Sequence, residues 1–250
     1  MGTPPPSLDR LWDEAPLGRE TFDPAAVASL PEEAAAWLRR AIAPGTRLYR
    51  AARLTMHGEI RLGGDWLPFE AEEVLGAGRG FRWSATTRMR GLPLSGYDLL
   101  WNGRAEMRWR AFSLLPVLRA SGHNVSRSAL GRLHLETIAW LPTALVGQGV
   151  AWSEAADGGP AVKLFADGTS TQAHLTVEDG RLRALVGGRW GGPTGDAQAL
   201  VPFGGEVLTE RTFSGVTVPT ELELGWFYGE PRFAEDGLFF KATVDDVRFK

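Results

Sequence analysis

The spacing of apolar residues changes from a helical period to a strand period near residue 45. Before that point, a period of about 3.6 residues predicts a helix over residues 31–42, and the Pro44-Gly45 pair ends it. Asp23-Pro24 predicts an earlier helix start, as an N-cap followed by a proline in the first helical position. The apolar stripe of the main helix consists of Ala34, Trp37, Leu38, Ala41 and Ile42.

After residue 45, apolar and polar residues alternate, which predicts antiparallel strands with one buried face. Residues 54–62 and 81–90 follow this pattern, and Asn102-Gly103 between two further alternating runs indicates a β-hairpin. The Gly-rich segment from Gly187 to Pro202 is predicted to be a long loop. A second series of strands is predicted at about 149–155, 160–167, 170–178, 181–187, 204–213, 216–228 and 237–249.

A second helical pattern, over residues 126–140, separates the two series of strands. Ser126 is the predicted N-cap, with Asn124 as the alternative, and Leu141-Pro142 ends the helix. Arg132 and Glu136 are four residues apart, so that they are expected to form an ion pair.

These elements predict the α+β class, with a single highly curved antiparallel sheet of roughly 10–12 strands, an N-terminal helix and a central helical insertion. A sheet of this length curls because each strand twists relative to its neighbour. Residues 1–21 are Pro-rich and aperiodic, which predicts a loose arm, and residues 22–250 are expected to form one domain.

Composition excludes several functions for this chain of 250 residues. The absence of cysteine excludes disulfides, thiolate metal sites, iron–sulfur clusters and a cysteine nucleophile. A net charge of −3 argues against nucleic acid, and no two of the four histidines have metal-ligand spacing. We therefore expect no metal and no cofactor. Without a signal-peptide pattern or an apolar run of about 20 residues, we expect a cytoplasmic protein without a membrane span.

Five parts of the chain carry a family resemblance: residues 120–133, Glu136 with Trp140 to Pro142, Met56 to Ile60, Trp66 to Phe69, and Ala242 to Phe249. Together they resemble an uncharacterised, mainly actinobacterial family of unknown function, over about residues 22–250. The order of elements resembles the LolA/LolB-like half-barrel, whose lipoprotein carriers hold acyl chains in an apolar concavity. The violacein-pathway enzyme VioE resembles the same fold and catalyses without a cofactor. The resemblance implies a half-barrel with an internal concavity, and no established activity.

The ten tryptophans make an aromatic-lined concavity the leading hypothesis, because buried indole N–H groups need partners that a bound molecule can supply. The expected partner is a hydrophobic or amphipathic small molecule, with Arg127 orienting its polar end. A core completely filled by these side chains is the competing interpretation. The proposed ligand-binding residues are Trp83, Tyr97, Trp101, Trp109, Arg127, Trp140, Trp226 and Tyr228.

The alternative function is a cofactor-independent enzyme of the cyclase or isomerase type that uses the same concavity. Its candidate catalytic residues are Glu136, His134 and Arg127. If Glu136 points inward, we expect burial to raise its pKa and to suit it for general-acid catalysis. The competing interpretation is a solvent-exposed Arg132–Glu136 pair. A void larger than about 300 Å³ inside the sheet favours either ligand binding or catalysis over a scaffold role.

Overall fold

Thirteen antiparallel strands form one meandering sheet in the computed structural model, which describes residues 4–156, 158–195 and 197–250. The N-terminal meander comprises β1 Ala51–Leu62, β2 Asp65–Gly76, β3 Gly80–Met89, β4 Leu92–Trp101, β5 Arg104–Ala111 and β6 Leu115–Ser121. The C-terminal meander comprises β7 Val150–Glu154, β8 Pro160–Ala166, β9 Thr169–Glu178, β10 Arg181–Gly191, β11 Ala199–Phe213, β12 Val216–Trp226 and β13 Leu238–Phe249.

The two meanders join because the last strand, β13, pairs with the first strand, β1. All other pairs are between strands that follow each other in sequence, so that β6 and β7 are the two edges of a curved, unclosed sheet. The predicted fold class is confirmed. Strand β6 was not predicted, because its side chains are mostly exposed and show no alternation.

Three α-helices accompany the sheet: α1 Leu8–Asp13, α2 Glu32–Ala41 and α3 His123–Trp140. Single turns of 3-10 helix occur at Pro24–Val27 and Pro142–Leu145, and a π-helical turn occurs at Phe233–Gly237. Helix α3 connects β6 to β7 and packs against strands of both meanders, which places it inside the curve of the sheet. Its second half is buried.

The predicted loop from Gly187 to Pro202 is shorter in the structure, because β10 continues to Gly191 and β11 already begins at Ala199. One residue of this segment, number 196, lies outside the described residues. Helix α3 begins three residues earlier than predicted. The Ser126 hydroxyl accepts a hydrogen bond from the Ala105 amide at 2.9 Å instead of capping the helix. It therefore ties α3 to β5.

The other two helices cover opposite parts of the sheet. Trp37 and Leu38 of α2 are buried in a cluster with Leu135 of α3 and the inner face of β8 to β11. In the segment predicted as a loose arm, α1 buries Leu11 against Val74 and Leu99. Residues 1–3 of that segment lie outside the described residues.

Candidate functional site

A cavity of about 600 Å³ lies between one face of α3 and the inner face of the sheet. This volume is within the range typical of small-molecule sites. Most of its lining is apolar and comes from both meanders. Its apolar lining includes Met56, Trp83, Met107, Trp109, Leu224, Trp226 and Phe240 from strands, and Leu135, Ala139 and Trp140 from α3.

The cavity reaches solvent beside the edge strand β6. Val117 and Leu118 of this strand line the cavity, and they are 54% and 44% exposed. Large apolar side chains at an accessible edge are unusual unless a ligand or partner passes there. The β6 edge is therefore a place where the cavity wall is accessible from outside.

Glycines on the inner face make room for two of the lining tryptophans. A Cβ atom on Gly96 of β4 would lie 2.4 Å from the Trp109 ring. A Cβ atom on Gly191 of β10 would lie 2.5 Å from the Trp226 ring. Since neither approach is sterically allowed for a larger residue, these glycines determine where both indoles lie in the cavity wall.

One end of the cavity contains a buried ionic cluster centred on Arg132 of α3. The Arg132 Nε atom donates to Glu136 Oε1 at 2.6 Å, and Nη1 donates to Asp98 Oδ2 at 3.1 Å. Its Nη2 atom lies 3.4 Å from Oε1 of Glu73, whose side chain is fully buried on the inner face of β2. One guanidinium thus pairs with three carboxyl groups from α3, β4 and β2.

Burial and neighbouring charges shift the pKa values of Glu73 and Arg132 in this cluster. Burial, followed by the negative charge of Glu136, raises the pKa of Glu73 well above its usual range. Burial alone would lower the pKa of Arg132, but the charges of Glu136, Glu73 and Asp98 outweigh burial and raise it. The arrangement favours a protonated Glu73 beside a permanently charged arginine.

Two buried indole N–H groups on residues that line the cavity, those of Trp83 and Trp140, have no hydrogen-bond partner among the described residues. The second carboxyl oxygens of Glu73 and Glu136 are also buried, and a protonated Glu73 donates a hydrogen bond to Glu136. A buried polar group without a partner costs about 1–3 kcal/mol. The cavity therefore combines a large apolar surface with a few polar groups that a bound molecule could satisfy.

A family model described as "Family of unknown function (DUF6544)" matches residues 20–235, which is most of the chain. The chain belongs to the DUF6544 family. Its predicted membership in a family of unknown function is thereby confirmed. No curated protein matches the sequence significantly.

Solved structures similar to this DUF6544 protein include three with low sequence identity. A LolA superfamily protein from Nitrosomonas europaea has 6% identity and a TM-score of 0.44, with 89% of this chain and 94% of that chain covered. A domain assigned as an outer membrane lipoprotein-sorting protein from Vibrio parahaemolyticus has 10% identity and a TM-score of 0.43, with coverages of 87% and 91%. A DUF1329 family protein from Desulfovibrio piger has 13% identity and a TM-score of 0.40, with coverages of 81% and 86%.

Five of the residues selected from the sequence line the cavity of the DUF6544 protein. The Arg132–Glu136 pair forms as expected from its spacing, but it lies inside the sheet, where Glu136 faces the cavity. The five residues are Trp83, Trp109, Glu136, Trp140 and Trp226.

Tyr97 and Trp101 lie on the convex face of β4, away from the cavity. The Tyr97 hydroxyl donates to Glu106 at 2.6 Å, and Trp101 packs against the cluster around Leu11 of α1. Their strand has apolar residues on both faces, since α1 covers one face and α3 the other. Period-two alternation alone did not identify the inner face of β4, which carries Gly96 and Asp98.

Three further candidates do not line the cavity either. The Arg127 guanidinium lies 3.6 Å from the ring centroid of Trp190, and Tyr228 makes an edge-to-face contact with Phe233. His134 is 1% exposed, and its Nδ1 atom is 2.8 Å from the Thr171 hydroxyl on β9. On α3, His134 thus faces a different set of strands from Arg132 and Glu136.

Sequence reasoning missed Glu73, Asp98 and Arg189 as components of the site. Glu73 follows Ala71 and precedes Leu75 at intervals of two residues, which places it on the inner face of β2. A carboxylate in an apolar row was a signal available in the sequence. The described residues contain no group of three or more His, Cys, Asp or Glu side chains arranged to hold a metal ion.

The buried imidazole of His134 predicts that the protein loses stability in acid. Burial lowers the pKa of His134 from 6.5 to about 4. Since the unfolded chain binds this proton first, stability falls as the pH decreases from about 6.5 to about 4, by roughly 3 kcal/mol. We expect His134→Gln to flatten this part of the pH profile, as measured by urea unfolding.

The control for this prediction is His174→Gln, because His174 is exposed on β9. We expect this variant to keep the acid dependence of the wild type. Parallel profiles for the wild type and His134→Gln would contradict the assignment of that dependence to His134.

Proposed function

We propose that this protein binds a hydrophobic or amphipathic small molecule in the cavity between α3 and the inner face of the sheet. The observation that carries the proposal is an apolar cavity of about 600 Å³ with buried, unpartnered indole N–H groups on Trp83 and Trp140. Filling such a space with an apolar molecule is favourable because it removes both surfaces from water.

The ligand class is supported by the chemistry of the lining. The Trp83 ring lies between two other aromatic rings, with its centroid 5.8 Å from that of Trp109 and 6.1 Å from that of Phe240. Such a wall provides a large rigid apolar surface with few hydrogen bonds. The wall accepts hydrocarbon or ring systems, while the polar side chains in the lining accept a polar end.

No helix in the described parts of the chain is long and apolar enough to cross a membrane. The cytoplasmic location remains a prediction from the sequence, and so does the absence of a cofactor.

Filling the cavity is expected to abolish binding of an apolar probe. Ala139 of α3 lines the cavity and is 7% exposed, so that Ala139→Phe places a ring in the space available to the ligand. We expect Nile red, a neutral dye whose fluorescence rises in apolar surroundings, to bind the wild type. Its affinity for Ala139→Phe should fall by at least about tenfold, the equivalent of 1.4 kcal/mol.

Ala26→Phe is the matched control, because Ala26 is exposed in the 3-10 turn Pro24–Val27. This substitution adds the same ring outside the cavity, and we expect it to leave Nile red affinity unchanged. Equal affinities of Ala139→Phe and wild type would show that the dye binds elsewhere. Absence of Nile red binding by the folded wild type would count against the proposed function.

A cofactor-independent cyclase or isomerase is the second candidate. The observation in its favour is the buried pair of Glu73 and Glu136, in which the raised pKa of Glu73 provides a proton donor beside a carboxylate. Chromatography and NMR of the compounds released from the wild type and Glu136→Gln distinguish the two functions. An enzyme would release structurally different compounds from the two variants, with equal mass in the case of an isomerase, whereas a binding protein would release the same compound.

A further inference from the structure

The cavity contains two arginines, and only one of them has acidic partners. Arg132 pairs with Glu136, Asp98 and Glu73. Arg189 of β10 also lines the cavity, but no carboxylate among the described residues lies within ion-pair distance of it. The cavity therefore provides one guanidinium that is available to an anionic ligand.

The surroundings of Arg189 hold its guanidinium in place at the cavity wall. The central carbon of the group lies 4.5 Å from the ring centroid of Phe203 and 5.0 Å from that of Trp226. The Nε atom donates to the Ser128 hydroxyl of α3 at 3.2 Å, which is one of the five N–H donors of the side chain. Two aromatic rings and one hydrogen bond thus orient the group without neutralising it.

The backbone of α3 approaches β10 closely at this point. A Cβ atom on Gly131 would lie 3.5 Å from the Cα of Arg189, so that the helix packs directly on the strand. Burial, followed by the positive charge of Arg132, lowers the pKa of Arg189 to about 10, which leaves it charged at neutral pH. Arg189 is half-buried and has no ion-pair partner among the described residues, so that an anion that enters the cavity gains a charge-assisted hydrogen bond there.

We propose that Arg189 binds the carboxylate of an amphipathic ligand whose hydrocarbon part occupies the apolar cavity. The ligand class is therefore a monocarboxylic amphiphile of the fatty-acid type. This assignment rests on the proposed function, since it requires that the cavity be the binding site.

Two features favour a single negative charge over a phosphate group. The planar guanidinium matches the two oxygens of a carboxylate in a bidentate pair. Glu136 and Asp98 already bring negative charge close enough to Arg189 to act on its pKa, although both are bonded to Arg132. A doubly charged headgroup would face this charge with only one free guanidinium to balance it.

The test compares ligands that differ only in the headgroup, by displacement of Nile red from the whole chain. We expect dodecanoate to displace the dye from the wild type at least about tenfold more effectively than dodecanol, because a charge-assisted hydrogen bond contributes about 1.5–3 kcal/mol. Dodecyl phosphate should be weaker than dodecanoate.

Arg189→Met should abolish the preference for dodecanoate over dodecanol, measured as the ratio of the two affinities within the same variant. Circular dichroism shows independently that this variant is folded. Arg189→Lys keeps the charge and should retain a reduced preference for dodecanoate. Arg127→Met is the matched control, since Arg127 stacks on Trp190 and does not line the cavity. It should behave as the wild type.

Several results would overturn the assignment. If dodecanoate and dodecanol displace Nile red from the wild type equally well, no cation in the cavity binds the headgroup. The proposed function would still stand in that case. An equal loss of both ligands in Arg189→Met would indicate a structural role for this residue. Tighter binding of dodecyl phosphate would exclude the carboxylate class. Failure of the wild type to bind Nile red, dodecanol and dodecanoate would refute the proposed function together with this assignment.

Discussion

Arg132→Met is expected to destabilise the protein by about 3–5 kcal/mol, the largest effect of any single substitution in the cavity wall. Arg132 is 15% exposed in its side chain and compensates three carboxyl groups, of which Glu73 has no solvent access. Methionine keeps much of the volume but leaves these groups without a cation in a region of low dielectric constant. Urea denaturation followed by circular dichroism measures this loss as a lower free energy of unfolding.

The loss of stability in Arg132→Met should be larger at high pH than at low pH. Without Arg132, Glu73 loses the positive charge that lowers its pKa, so that its raised folded-state pKa lies still further above the unfolded one. The stability of the variant is therefore lost as the pH rises through that range, and the difference from wild type should shrink in acid. Adding Glu136→Gln to Arg132→Met removes one uncompensated carboxylate and should restore part of the stability.

Arg53→Met is the matched control for Arg132→Met. Arg53 pairs with Glu72 and Asp9 on the convex face, and its side chain is 24% exposed. Partly exposed pairs of this kind contribute about 0–1 kcal/mol. If both substitutions cost the same, the Arg132 cluster does not behave as a buried ionic network.

Trp37→Ala is expected to cost about 3–5 kcal/mol, because it removes a large side chain that is 2% exposed. Trp37 of α2 packs edge-to-face on Trp152 of β7, with ring centroids 6.3 Å apart. The remaining wall cannot collapse easily into the space, since α2 is held against the sheet by Leu38 and Ala41. Thermal and urea unfolding should both report the loss.

Phe165→Ala is the corresponding control, because Phe165 is an aromatic residue on β8 with 55% exposure. We expect its cost to be within about 0.5 kcal/mol, as for other surface substitutions. A cost below about 1 kcal/mol for Trp37→Ala would show that α2 does not seal this part of the core.

Local patterns were sufficient for most of the secondary structure. The helix predicted over residues 31–42 is α2, and the seven strands predicted after residue 145 correspond to β7 to β13. These elements were predictable because half-buried strands and amphipathic helices display their periods directly in the sequence. The missed strand β6 lacks such alternation because an edge strand can be exposed on both sides. The loop predicted over Gly187–Pro202 was too long because a strand in the interior of the sheet can contain glycine.

The candidate site was less predictable. Trp83 and Trp109 were selected as apolar residues of alternating strands, and both line the cavity. Tyr97 and Trp101 were selected by the same criterion and lie on the convex face, where α1 covers them. Period-two alternation shows which residues share a face, but it does not show which face is concave.

By itself, the sequence determined the class of fold, the order of most elements and the chemistry that a cysteine-free chain excludes, because these follow from composition and local periodicity. The tertiary structure alone decided where the charges meet. Asp98 and Glu73 lie on different strands and reach Arg132 only because the sheet curls around α3. Arg189 likewise has no ion-pair partner among the described residues, because Arg132 binds the carboxylates of Glu136 and Asp98. Both results depend on long-range register and curvature, which no local pattern encodes.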